Sequence, residues 1–160
     1  MHHRAKAFMM MLLGMSLSIH AAELESLQQF IKKKPTYLSD KNDVEMMASR
    51  CSALYVVLTA RAEEVSSSKE LKGTAKEYTN RALVFDEVRE IFSKVTDHKL
   101  QSSTTQQKEF GKIYADMTLM NWKQSGDLFK GIVNEDLDVC RDHYLHFKKL
   151  SVNLSKEFKK

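Results

Sequence analysis

Cys140, His143 and His146 lie within DVCRDHYLHF, residues 138–147, and are the side chains best suited to metal ligation or thiol chemistry. Spaced three apart on a helix, they fan across roughly 120° about its axis. A structural zinc site takes four converging ligands. Beyond residue 22 the only further cysteine is Cys51 and the only further histidine is His98. A cysteine–histidine nucleophile needs a thiolate in a partly exposed, electropositive place, whereas Cys140 sits between the apolar Leu137 and Tyr144 at helical spacing. There is no Gly-x-Ser-x-Gly, phosphate-cradling loop or Cys-x-x-Cys-His, and the acidic run at 134–138 lacks the ligand order and glycine of a calcium loop. The reading is of a non-enzymatic chain without a cofactor. Its alternative is a small metal- or haem-binding helical carrier, using His143 and His146, or Met117 or Met120 with His143.

The first residues bear on the state of those thiols. MHHRAKAFMMMLLGMSLSIHAA has Arg4 and Lys6 ahead of an apolar run from Ala7 to Ile19 and ends in Ala21-Ala22. The run is shorter than the roughly 20 residues that cross a bilayer as a helix and matches the apolar part of a cleaved export signal. Residues 1–22 are therefore read as a signal peptide cut after Ala21 or Ala22, with residues 23–160 as one exported domain, periplasmic or extracellular. Five of nine methionines and three of six histidines fall in that signal, so neither enrichment is a metal signature. Without Arg4 and Lys6 the net charge of +4 becomes +2, too weak for nucleic acid as a partner. In an oxidising compartment two cysteines predict one bridge, Cys51–Cys140.

The elements that position those residues read as helices throughout, because Pro35 is the one proline and helix formers fill long stretches. A leading helix over about 23–34 ends at Lys32-Lys33-Lys34. A second starts near Ser39 or Asp40 and carries Val44, Met47, Cys51, Leu54 and Leu58 on one face. A third, about 69–97, carries Ala75, Tyr78, Ala82, Phe85 and Val88. Ser103 with Gln106 suggests a capping box opening a fourth helix with the stripe Phe110, Ile113, Met117, Met120. The last helix carries Leu137, Cys140, Tyr144 and Phe147. The predicted fold is all-α, an up-down bundle of four main helices with a short leading helix and one disulfide.

Height decides whether the cysteines meet. Cys51 stands roughly 16 Å from one end of its helix. A last helix beginning at Asn134 would leave Cys140 near the opposite end of a bundle about 40 Å long. A turn at Ser125-Gly126, with Asp127 capping the last helix and Gly131 tolerated inside it or marking a kink, brings the two to one level. The bridge would then be worth about 4 kcal/mol in the loop-entropy picture.

Two surfaces are left over. Ala115, Leu119 and Trp122 lie nearly opposite the fourth helix's core stripe, with Phe129 beyond them. Either the leading helix, through Leu24, Leu27, Phe30 and Ile31, covers this set, or a protein partner binds Leu119, Trp122 and Phe129. Lys148, Lys149, Lys156, Lys159 and Lys160 make the chain locally basic, a solvated face or a point of weak contact with an anionic surface. Between them these features suggest a chain that acts by binding another macromolecule.

Overall fold

Ser26 accepts a hydrogen bond from the Gln29 amide and so opens the first helix, α1, Leu27–Lys33. The structure, a computed structural model, describes residues 24–65, 69–96 and 100–158. The predicted signal segment, His98, Lys159 and Lys160 lie outside them. After a 3-10 turn at Tyr37–Ser39 come α2 (Lys41–Val65), α3 (Lys69–Val95), α4 (Leu100–Ser125) and α5 (Ile132–Phe158). Asp40 caps α2 by accepting from the amides of Asn42 at 2.8 Å and Asp43 at 3.2 Å. Among the described residues there is no strand, and no helix is long and apolar enough to cross a membrane.

The bundle is all-α, and its core draws on every helix. Val44, Met47, Cys51, Leu54 and Leu58 of α2 are buried at the predicted spacing, against Ala82, Phe85 and Val88 of α3. Phe85 is the centre of the aromatic packing, 4.9 Å from Phe147 of α5 and 5.9 Å from Tyr55 of α2, centroid to centroid. Tyr55 meets Tyr78 while Glu45 meets Thr96, so α2 and α3 run antiparallel. Arg81 meets Tyr144, Phe85 meets Phe147 and Glu87 meets Ser151, so α3 and α5 run the same way. These directions are those of an up-down bundle.

Three helix starts differ from the sequence-based expectation. The first helix begins at Leu27, a turn after the anticipated start near residue 23. The fourth helix begins at Leu100, a turn before the anticipated cap, and Ser103 is inside it. Its hydroxyl is buried and accepts from Arg89 Nη1 at 3.2 Å instead of capping an end. At the other end, α4 does stop at Ser125, with Gly126 left-handed at φ 68°. The last helix, however, begins at Ile132, and Gly131 (φ 54°) precedes it instead of lying within it.

Asp127 closes a local turn onto the Phe129 amide at 2.8 Å, and Asn121 holds the carbonyls of Leu128 and Lys130 at 3.2 Å each. Residues 126–131 are thereby laid back along the end of α4. A non-helical residue can cover up to about 3.3 Å where a helical one covers about 1.5 Å. Six such residues bring Cys140 on α5 down to the level of Cys51 without a helix that starts at Asp127.

Candidate functional site

The two cysteines meet as predicted. Cys51 and Cys140 form a disulfide between α2 and α5 with Cα atoms 5.5 Å apart, and both are fully buried. Chain neighbours of these cysteines build a buried polar cluster. Arg50, one residue before Cys51, pairs through Nη2 with the Asp136 carboxylate, one turn before Cys140. Arg50 Nε donates to Tyr114 Oη at 3.2 Å, and that hydroxyl donates to Asp136 Oδ2. The triangle holds the backbone of the chain's entry segment: the Leu27 amide donates to Asp136 Oδ1 at 2.6 Å, and Arg50 Nη1 donates to the Glu25 carbonyl at 2.8 Å.

Side chains of Arg50 and Asp136 are 4% and 0% exposed, and burial is the largest single influence on each. It pushes the Tyr114 hydroxyl far above its usual range. It also pushes the Asp136 carboxyl up, against the opposing pull of Arg50, Tyr114 and the Leu27 amide. Arg50 stays charged, its pKa raised by Tyr114 and Asp136 against the cost of burial. Each polar atom of the triangle is engaged within the protein. The chemistry is that of a clamp, which fixes residues 25–27 onto α2 and α5.

His143 and His146 do not converge with Cys140. The Val139 carbonyl, 2.8 Å from His143 Nδ1, can only accept, so Nδ1 carries the proton and Nε2 receives the Tyr37 hydroxyl. The partners of His143 are a carbonyl and a phenol because the 3-10 turn folds over this face of α5. Burial raises the Tyr37 pKa. His146 is exposed and stands edge-on to Phe147 at 5.9 Å. No group of three or more His, Cys, Asp or Glu side chains among the described residues is arranged to hold a metal ion.

Leu119, Trp122 and Phe129 lie at one end of the bundle, on the last turns of α4 and the connection after it, and are 38%, 44% and 36% exposed. The leading helix does not cover them. Its place is set by the clamp on Asp136 and Arg50, polar anchors that an apolar pattern does not reveal, and α1 packs on α5 instead. The inward side of α4 is also rotated from expectation: Tyr114, Met117 and Thr118 are buried, whereas Met120 is exposed. Tyr114 was missed because a tyrosine reads as amphipathic, and Arg50 and Asp136 because charged residues read as surface.

A further groove of about 330 Å³ lies between α2 and α3, with the exposed Val56 and Leu83 on its rim and Gln107 of α4 at its edge. On α5, Lys149 and Lys156 are exposed, and the Lys148 ammonium lies 6.0 Å from the centre of the Tyr144 ring. Compared with protein-family models, curated proteins and solved structures, the chain matches none.

Proposed function

We propose that this is an exported, non-enzymatic helical protein that acts by binding a protein partner at the α4 end of the bundle. The carrying observation is that Leu119, Trp122 and Phe129, three large apolar side chains, are each more than a third exposed on a scaffold tied internally by a disulfide. Aromatic and aliphatic anchors on a rigid support, ringed by polar residues, are the usual centre of a protein interface. Lys123 and Lys130 flank the set and are exposed. The matching partner is therefore a protein surface with an apolar knob bordered by carboxylates. Export is supported by the signal-like residues 1–22 together with the Cys51–Cys140 bridge, which suits an oxidising compartment.

The test is a photo-crosslinking residue at position 122, with position 80 on the exposed side of α3 as control, expressed in the native host. A discrete adduct is expected at 122 and not at 80. The captured protein, purified, should bind wild type at least about tenfold more tightly than Trp122→Ala. Absence of an adduct at 122, or equal affinity for the variant, overturns the reading.

A further inference from the structure

Residues 145–160 hold five lysines and one glutamate, whereas residues 23–144 are slightly acidic, with 18 Lys and Arg against 20 Asp and Glu. The whole positive surplus of the chain beyond residue 22 is thus on the second half of α5 and just past it. At 100° per residue, Lys148, Lys149, Val152 and Lys156 fall within roughly 60° of Leu145 around the helix. All five are exposed, Leu145 at 67% and Val152 at 48%. They border a shallow depression of about 450 Å³ together with Asn153.

The opposite side of α5 is fully used, with Cys140, Phe147 and Ser151 buried. Glu87, the acid at the edge of this face, receives the hydroxyls of Ser151 and Ser155. Farther up the helix Arg141 is paired with Asp138 at 3.0 Å, so the cationic character starts at Lys148.

Two aliphatic side chains on the axis of a face, with lysines to either side, fit one kind of environment well. Lysine stems run along an apolar boundary while their ammonium groups reach phosphates. We infer that the outward face of α5, through Leu145, Lys148, Lys149, Val152 and Lys156, docks on the surface of an anionic lipid bilayer. Charge complementarity singles out that occupant. Leu145 and Val152 enter the boundary between headgroups and acyl chains, and the lysines take the lipid phosphates. This surface is separate from the one around Trp122, on a different helix, and the inference does not depend on it.

The test is co-sedimentation of the full chain with phosphatidylcholine vesicles, with and without about one third phosphatidylglycerol. Three variants are compared: Lys148→Glu/Lys149→Glu, Leu145→Ser/Val152→Ser, and Lys32→Glu/Lys33→Glu on the other basic cluster. Every protein carries the same residues 1–22, Arg4 and Lys6 included, so binding driven by that segment would be equal in all of them and untouched by the α5 substitutions. Wild type should pellet with the anionic vesicles only, and release as salt rises from about 50 to about 500 mM. Both α5 variants should bind about tenfold or more weakly, and the Lys32/Lys33 variant as wild type. Equal binding to neutral vesicles, α5 variants that bind like wild type, or loss confined to the Lys32/Lys33 variant would each overturn the proposal. So would capture by a polyanionic protein in place of vesicles.

Discussion

Arg50 and Asp136 form an ion pair that lies within one helical turn of the Cys51–Cys140 bond on both α2 and α5. Two helices far apart in sequence are thus joined twice at one level, once covalently and once electrostatically. The electrostatic tie also fixes the backbone of residues 25–27. Removing one partner strands a charge in a buried site, which costs about 3–5 kcal/mol. Asp136→Ala and Arg50→Ala should each lower stability by that amount in urea titrations. Arg50→Met with Asp136→Leu should cost much less than the two single changes together, because neither charge is then orphaned. Additive losses in this cycle would contradict a coupled pair.

The same carboxyl gives a pH dependence with a definite sign. Burial is its largest influence and raises its pKa above the ordinary 3.8, with Arg50 the chief opposing pull. A carboxyl raised in the fold contributes stability that is fully present below the ordinary value and is lost as pH climbs through the folded one. The difference in stability between wild type and Asp136→Asn should therefore shrink in favour of the variant from about pH 3.5 upward, then level off. Thermal melts of both proteins across that range check it. A difference that grows in favour of wild type would mean that Arg50 outweighs burial.

Much of this was legible in the residues, and the failures share a cause. Stripes such as Val44–Met47–Cys51–Leu54 and Phe85–Val88 mark a core face by period alone, and with the even cysteine count they give the bundle and its bridge. What periodicity cannot see is polar residues used inward. Ser103 looked like a cap and serves Arg89. Asp136 sat in an acidic run weighed only against a calcium loop, and is a clamp. The course of residues 126–131 depends on Asn121, whose side chain replaces backbone partners in a way that composition does not announce. The α1 position followed from the clamp, so missing Asp136 also misplaced the cover over Trp122. That Leu119 and Trp122 lie off the core face was legible because such side chains are visible in projection, whereas Phe129 lies past the end of α4.

The disulfide should be inert until the protein opens. Both cysteines are fully buried, so native protein with dithiothreitol should keep its bridge far longer than protein in denaturant. Iodoacetamide labelling should follow unfolding. Cys51→Ala/Cys140→Ala should lose about 4 kcal/mol, given a sequence separation of 89. Mass spectrometry of alkylated, non-reduced protein reads the outcome directly. Two labelled thiols under native oxidising conditions would mean that the bridge does not form.

The glycines separate backbone requirement from space. Gly111 is inside α4, and a Cβ built there would meet nothing within 4 Å. Gly111→Ala should therefore stabilise by about 0.5–1 kcal/mol, because alanine surrenders less backbone freedom on entering a helix. Gly126 and Gly131 have the same open surroundings, yet their φ values of 68° and 54° are ones that side chains with a Cβ adopt only under strain. Gly131→Ala should cost about 1 kcal/mol or more, although nothing would touch the added methyl. Gly126→Ala should behave alike. Opposite signs for Gly111 and Gly131 in urea melts would establish that the connection descends through left-handed residues. A stabilising Gly131→Ala would instead mean that the last helix extends back towards Asp127, restoring the register expected from the spacing of the two cysteines.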